Sequence, residues 1–254
     1  MKKILIAGNW KMHKTLKDAL ELAYRIQNWV VTNKLRVEVA ICPPFTYLYP
    51  IAELIKDSKI ALGAQNCYYP PEGAFTGEIS PRMLVSIGCQ YVIIGHSERR
   101  IHFNESNELI NKKIISALDF GLKPIFCIGE TLEERQEGKT FDILESQIKT
   151  GLQSVSTKLI HKLIIAYEPV WAIGTGISAK TEQIEEAHKF IRKTLQELFP
   201  KDGDNILILY GGSMNRRNAK EILEILDVHG GLIGKASLDD EEFTKIIEYA
   251  EQSV

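Results

Sequence analysis

The segment Tyr91-Val-Ile-Ile-Gly95, followed at once by His96-Ser-Glu-Arg-Arg100, contains the pattern that decides the fold. Its first half is short, apolar and rich in β-branched side chains, which is typical of a strand buried on both faces. Similar apolar runs recur along the chain, with helix-like segments between them. The eight predicted strands lie near Ile4–Gly8, Val37–Cys42, Ile60–Ala64, Tyr91–Gly95, Pro124–Ile128, Leu163–Tyr167, Ile206–Tyr210 and Gly231–Ile233.

The segments between the strands have the features of amphipathic helices. Residues 15–31 and 181–199 place apolar side chains at three- and four-residue steps. Thr131 and Glu134 have the spacing of a capping box, and Thr181 is a candidate N-cap. Gly121 predicts a helix end.

The alternation of strands and helices predicts parallel strands with right-handed crossovers. Eight such units in about 250 residues is the size of a closed (β/α)₈ barrel. The competing fold, an open doubly wound sheet, usually carries a GxGxxG turn, and Gly174-Thr-Gly176 lacks the third glycine. We therefore predict an α/β fold in which residues 1–254 form one barrel domain of eight parallel strands enclosed by helices.

Composition limits the classes of partner. The formal charge is −2, so no global basic field attracts nucleic acid or an anionic membrane. No apolar stretch approaches the length of a membrane span, and the one after Lys3 is too short for a signal peptide. The four cysteines form no CxxC pair, which predicts buried free thiols in a reducing cytoplasm.

Polar and glycine-rich clusters follow seven of the eight predicted strands. In barrels of this type the carboxyl ends of the strands converge on one mouth, where the active site forms. Agreement among seven strand ends therefore predicts a shared site there. The clusters are Gly8-Asn-Trp-Lys11, Gln65-Asn66, Gly95-His-Ser-Glu-Arg-Arg100, Gly129-Glu130, Glu168-Pro-Val-Trp-Ala-Ile-Gly-Thr-Gly176, Gly211-Gly-Ser213 and Gly234-Lys235.

Glu168 and His96 are the candidate proton-transfer residues. A partly buried carboxylate at a strand end can act as a general base. A histidine at the start of a helix is favoured in its neutral form, in which it can donate a hydrogen bond to a developing oxyanion. Taken alone, each residue is more often structural, as an ion-pair partner, a helix cap or a packed imidazole.

Lys11 and the later glycines are candidates for binding an anionic substrate. Lys11 could be merely solvated, could supply positive charge at the mouth, or could form a Schiff base. Gly174, Gly211, Gly212 and Gly234 lack a Walker pattern, yet glycine allows backbone N–H groups to approach a phosphate. The alternative is that these glycines only form tight turns.

The segment after Glu168 has the features of a lid that excludes water. Pro169 stiffens its start, its middle is apolar and its end is rich in glycine. A packed connection between the strand and the next helix would also account for these features. The predicted lid consists of Pro169, Val170, Trp171, Ala172, Ile173, Gly174, Thr175 and Gly176.

Taken together, these stretches resemble the triosephosphate isomerase family. The matches run in the family's order from residue 7 to about residue 238, and this many long matches in order exclude coincidence. They are Ala7-Gly-Asn-Trp-Lys-Met12, Gly63-Ala-Gln-Asn66, Gly73-Ala-Phe-Thr-Gly-Glu-Ile-Ser80, Ile94-Gly-His-Ser-Glu-Arg-Arg100, Cys127-Ile-Gly-Glu130, Ala166-Tyr-Glu-Pro-Val-Trp-Ala-Ile-Gly-Thr-Gly176, Tyr210-Gly-Gly-Ser213 and Gly231-Leu-Ile-Gly234.

The resemblance implies a TIM barrel that interconverts dihydroxyacetone phosphate and D-glyceraldehyde 3-phosphate through an enediolate. The reaction is a step of glycolysis and gluconeogenesis that also connects with the pentose phosphate pathway, and it uses no metal or organic cofactor. Glu168 would move the carbon-bound proton, and neutral His96 would move protons between the enediolate oxygens. Lys11, with Asn9 beside it, would stabilise negative charge. The phosphate would bind Gly174, Ser213, Gly234 and Lys235.

The resemblance also implies a homodimer, in which residues 74–79 insert into the partner with Thr76 near its Asn9–Lys11 region. The chain departs from the family at two places. Lys235 stands where the family usually has a second glycine, and the lid ends Gly176-Ile-Ser178 rather than Gly-Lys-Thr. The first change puts a side chain beside the phosphate site, and the second alters a hinge.

Two rival functions are compatible with a barrel. A Schiff-base aldolase would use Lys11 as its nucleophile, although the presence of both Glu168 and His96 favours the isomerase. A catalytically inactive barrel serving as an adhesin or metabolite scaffold predicts the loss of Lys11, His96 or Glu168, and the chain has all three.

Overall fold

The structure, a computed structural model, describes residues 2–173 and 179–254. Its strands form a closed parallel barrel in the order β1 to β8, which confirms the predicted fold. All eight predicted strands are present, with ends that differ by at most one residue. They are β1 Leu5–Asn9, β2 Glu38–Cys42, β3 Ile60–Ala64, β4 Tyr91–Ile94, β5 Lys123–Ile128, β6 Ile164–Tyr167, β7 Leu207–Tyr210 and β8 Gly230–Ile233.

Helices surround the barrel and cover the outer faces of the strands. Short 3₁₀ turns occur at Phe45–Tyr47, Ile160–Lys162, Val170–Ala172, Gly203–Asn205 and Lys235–Leu238. No helix within the described ranges combines the length and apolar character that a membrane span needs. The α-helices are α1 Leu16–Thr32, α2 Leu48–Ile55, α3 Pro81–Ser86, α4 Ser97–Phe103, α5 Asn107–Asp119, α6 Leu132–Gln136, α7 Thr140–Gly151, α8 Thr181–Leu198, α9 Ala219–Glu224 and α10 Asp240–Gln252.

Local capping chemistry sets where several helices begin. Thr131 and Glu134 form the predicted capping box at the start of α6. The prediction of Thr181 as an N-cap was wrong by one residue. Lys180 is the cap of α8. Its N–H donates to Gln183 Oε1 at 2.9 Å, and this capping bond places the start of the helix one residue earlier than predicted.

The core has an inner and an outer layer. Inside the barrel, side chains such as Leu5, Tyr91, Ile125 and Ile164 fill the space between the strands. The outer layer packs the other strand faces against the helices. All four cysteines are buried and unpaired, as predicted. Since the interior is filled, the mouth is left as the place for a site.

The pairing of β1 with β8 closes the barrel and requires a glycine. Leu5 lies opposite Gly230, and the Leu5 N–H donates to the His229 carbonyl at 3.0 Å. Gly230 has a φ of +119°, and a Cβ there would lie 1.9 Å from the Leu5 carbonyl oxygen. A larger residue would therefore push the first and last strands apart.

A buried polar cluster on α8 supports the end of the barrel opposite the mouth. Arg192 donates to Asp227 Oδ1 at 3.1 Å, to the Ile206 carbonyl at 2.8 Å and to the Gly203 carbonyl. His188 is fully buried with its Nδ1 3.0 Å from the Asp227 carbonyl oxygen. Burial lowers the pKa of His188 to about 4.

We expect His188 to make the protein less stable as the pH falls from about 6.5 to about 4, because the unfolded chain then takes up a proton that the folded chain excludes. Replacing it in H188Q should reduce the loss of unfolding free energy between pH 7 and pH 4 by about 3 kcal/mol. Urea titrations across this range would measure the effect. H161Q, at an exposed histidine, serves as the control, and identical pH profiles for wild type and H188Q would contradict the prediction.

Candidate active site

Glu168 lies directly after β6 at the mouth of the barrel, with only 2% of its surface exposed. Its Oε1 lies 3.1 Å from His96 Nε2, and its Oε2 accepts the Ser97 N–H at 3.1 Å. The two candidate proton-transfer residues, which are 72 positions apart in sequence, are therefore in direct contact, as converging strand ends require.

His96 is buried at the end of β4, where it caps the N-terminus of α4. Its Nδ1 accepts the Glu98 N–H at 3.2 Å, so that nitrogen carries no proton. The imidazole is accordingly neutral, with its proton on Nε2 and directed at Glu168. The helix N-terminus that the sequence predicted behind His96 thus selects this tautomer.

Two glycines enclose Glu168. A Cβ on Gly129 would lie 1.8 Å from the Glu168 carbonyl oxygen, and one on Gly211 would lie 2.7 Å from Glu168 Cγ. The strand ends after β5 and β7 therefore approach the base closely from both sides. Cys127, at the end of β5, also faces it. Burial raises the pKa of the Cys127 thiol well above its usual range, and the negative charge of Glu168 raises it further.

Lys11 adopts a left-handed backbone conformation with a φ of +50°, which is uncommon for a non-glycine residue. Asn9 Oδ1 accepts the Lys11 N–H at 3.0 Å. Gln65 Nε2 donates to the carbonyls of Lys11 at 2.8 Å and of Cys42 at 2.9 Å. These bonds from neighbouring strand ends stabilise the turn, and they give Asn9 a positioning contact that the sequence did not specify.

The Lys11 ammonium group forms an ion pair with Glu98 Oε1 at 2.5 Å. Burial is the largest single effect on the Glu98 carboxyl and raises its pKa, but the hydrogen bond from Lys11 and the charges of nearby basic groups together outweigh it, so the pKa is lowered. A Cβ on Gly234 would lie 3.6 Å from Lys11 Cε, so the loop after β8 lies beside the lysine. The cation is thereby placed at the mouth, between the loops after β4 and β8.

The remaining phosphate candidates follow β7 and β8. The Ser213 carbonyl accepts a bond from Asn218 Nδ2 at 3.0 Å. Lys235 opens a 3₁₀ turn, and its side chain is exposed to solvent. The Gly234 carbonyl accepts the N–H and hydroxyl of Ser237, which fixes this turn. Gly174 lies outside the described residues.

The family model described as triosephosphate isomerase matches residues 4–250. The chain belongs to the triosephosphate isomerase family. The resemblance inferred from the sequence is therefore confirmed over nearly the whole chain.

Relatives of the chain agree with this assignment. The triosephosphate isomerase of Aquifex aeolicus is 51% identical over 243 residues, which cover 96% of this chain and 98% of that protein. That of Carboxydothermus hydrogenoformans is 49% identical over 98% of this chain and 99% of its own. The crystal structure of the Bartonella henselae triosephosphate isomerase superposes with a TM-score of 0.88 at 38% identity, over 97% of this chain and 98% of that one.

The first part of the predicted lid is attached to the loop after β5. The Val170 N–H donates to the Glu130 carbonyl at 3.0 Å, and Trp171 Nε1 donates to Glu130 Oε1 at 2.9 Å. Glu130 is fully buried and is also bonded to Arg135 and to the Tyr167 hydroxyl. Pro169 and Ile173 flank the 3₁₀ turn Val170–Ala172, in which Ala172 is buried. Gly174, Thr175 and Gly176 lie outside the described residues.

The predicted dimer loop projects into solvent. Residues 71–78 are all exposed, including Thr76. The Tyr68 N–H donates to the Ile79 carbonyl at 2.8 Å and closes the base of the loop. The Tyr68 and Phe75 rings pack with centroids 5.0 Å apart, so the loop has a defined shape.

Sequence reasoning missed the roles of Glu98, Gln65 and Glu130. All three lie in the clusters after strands, which was the available signal, but their partners are dozens of residues away along the chain. Only the closed barrel brings those partners within hydrogen-bond distance.

We expect G211A to fold but to displace the base, since its Cβ would lie 2.7 Å from Glu168 Cγ. Because a misplacement of about 1 Å can cost about 100-fold in rate, kcat for isomerisation should fall by up to about 100-fold with little change in KM. Steady-state kinetics and thermal unfolding would separate the two effects. Full turnover in a folded G211A protein would show that the contact does not constrain Glu168.

Proposed function

We propose that the chain catalyses the reversible interconversion of dihydroxyacetone phosphate and D-glyceraldehyde 3-phosphate. The observation that carries this proposal is the buried contact between the Glu168 carboxylate and the neutral His96 imidazole, 3.1 Å apart. A base beside a neutral hydrogen-bond donor matches the needs of proton transfer next to a carbonyl group. The triosephosphate isomerase family is itself the standard example of such a pair.

In the forward direction Glu168 takes a proton from C1 of dihydroxyacetone phosphate, and the electron pair of that C–H bond forms the enediolate. His96 donates its Nε2 proton to the developing oxyanion and recovers one from the neighbouring hydroxyl. Glu168 then returns its proton to C2, which gives the aldehyde. The positive charge of Lys11, near the mouth, stabilises the intermediate.

The phosphate group would bind on the side of the mouth formed by the loops after β6, β7 and β8, through Gly174, Ser213, Gly234 and Lys235. Barrels of this architecture commonly bind phosphate after strands seven and eight. Lys235 adds a charge that a glycine would not, and its exposed side chain can turn toward or away from the ligand. Closure of residues 169–176 would exclude water and guard the enediolate against loss of phosphate.

The most direct test of the base is E168D. Removing one methylene group withdraws the carboxylate by about 1 Å, and we expect kcat to fall by about 10²–10⁴-fold while the fold is retained. A coupled isomerase assay on purified protein measures the rate, and circular dichroism checks the fold. E182D, at an exposed glutamate of α8, removes the same methylene group and should be unaffected. Unchanged turnover in E168D would exclude Glu168 as the base.

The functional form we propose is a homodimer joined through the loops that follow β1 to β4. These loops are neighbours around the barrel, and each exposes large apolar side chains. The exposed side chains are Met12 after β1, at 94%, Phe45 after β2, Phe75 after β3, and Ile101 and Phe103 in α4 after β4. The Thr76 loop would insert beside the partner's copy of the Lys11 turn. The protein would work in the cytoplasm, which its unpaired cysteines support.

An arginine at the tip of the loop tests this assembly. We expect T76R to sediment as a monomer at micromolar concentration, because the larger charged side chain cannot enter the partner. L226R introduces the same residue at a 78% exposed leucine in the connection that enters β8, and it should remain dimeric. Sedimentation velocity distinguishes the species. A T76R protein that sediments as wild type does would contradict the proposed interface.

A further inference from the structure

The guanidinium group of Arg100 joins three separate elements behind the catalytic pair. Its Nε donates to the Gly95 carbonyl at 2.9 Å, one terminal nitrogen donates to the Cys127 carbonyl at 3.1 Å, and the other donates to Asn107 Oδ1 at 2.6 Å. The three acceptors lie after β4, at the end of β5 and at the start of α5. Each arm of the rigid guanidinium fork therefore has its own partner.

On the β4 side, Arg100 holds the peptides on both sides of His96. Its side chain binds the Gly95 carbonyl, and its backbone N–H donates to the His96 carbonyl at 3.2 Å. Gly95 has a φ of +71°, and a Cβ there would lie 2.9 Å from Ile110 Cδ1. This turn sets the direction in which the His96 imidazole leaves the strand.

On the β5 side, Arg100 reaches the backbone that carries Glu168. The residue after Cys127 is Ile128, whose carbonyl accepts the Glu168 N–H at 2.7 Å. One peptide of β5 thus separates the guanidinium from the strand pairing that positions the base. Arg100, Ser97 and Glu168 also line the same cavity.

Arg100 is a partly buried cation whose position costs desolvation. Burial lowers the pKa of its guanidinium, while the negative charges of Glu168 and Glu105 act in the opposite direction. A purely structural link between two strand ends does not need a charge near the catalytic carboxylate. The three hydrogen bonds of the guanidinium hold it at this position close to Glu168.

We propose that Arg100 is a positioning residue for isomerisation, which fixes the orientation of His96 relative to Glu168 by tying the ends of β4 and β5 together. This inference rests on the proposed function. Arg100 contacts neither reacting group through its hydrogen bonds, so it acts through the backbone of Gly95 and Cys127.

The test compares R100K with R192K. Arg192 also makes three hydrogen bonds, two of them to backbone carbonyls, but on α8 at the opposite end of the barrel. Lysine keeps the charge in both variants and cannot span three acceptors. We expect kcat per folded R100K molecule to fall by about 100-fold with KM within about threefold of wild type. R192K should lose stability and keep its kcat.

A second readout is independent of turnover. In the wild-type protein, ¹⁵N NMR should show His96 with its proton on Nε2, and the signals are assigned by their absence from H96Q. In R100K we expect these signals to shift toward a mixture of tautomers, while R192K retains the wild-type spectrum. If R100K fails to fold, N107A releases one arm of the fork and should change kcat and the His96 signals in the same direction.

A wild-type kcat and an unchanged His96 spectrum in R100K, or in N107A if that variant replaces it, would overturn the inference. So would equal losses of kcat per folded molecule in R100K and R192K. An inactive wild-type protein would instead refute the proposed function, and the His96 spectra would still test the role of Arg100.

Discussion

The hydrogen bonds between β1 and β8 close the barrel, and the arrangement at its mouth depends on them. Gly230 permits this pairing because no side chain fits between its backbone and Leu5. Closure makes the strand ends converge, so that Lys11 after β1, His96 after β4 and Glu168 after β6 surround one space. The filled interior restricts movement of the strand ends at the mouth, since close-packed cores deform only at a cost in free energy.

Charged groups at the mouth are arranged in compensating pairs. Lys11 is paired with Glu98, Glu130 with Arg135, and Glu168 lies near Arg100 while it contacts a neutral imidazole. Glu130 and Glu168 have almost no access to water, and such ions are costly to bury without partners. The arrangement lets the protein keep ionised groups at the mouth of the barrel.

The number and order of the strands could be predicted from the sequence because each strand is a short apolar run with its own stop signals. The capping box at Thr131 was equally local and was predicted correctly. The left-handed turn at Lys11 could not be predicted, since it is stabilised by bonds from Gln65 that form only when β3 pairs with β2 and β2 pairs with β1. The close approach of Gly211 to Glu168 has the same origin in tertiary contact.

The burial of all four cysteines has a consequence for the durability of the protein. Burial raises the pKa of Cys67 and Cys89 to about 12 and that of Cys42 and Cys127 well above the usual range. Peroxides and alkylating reagents attack the thiolate, which is then almost absent in the folded state at neutral pH. Oxidation and alkylation of these sulfur atoms therefore require the barrel to open. The rate of alkylation measures how often that opening occurs.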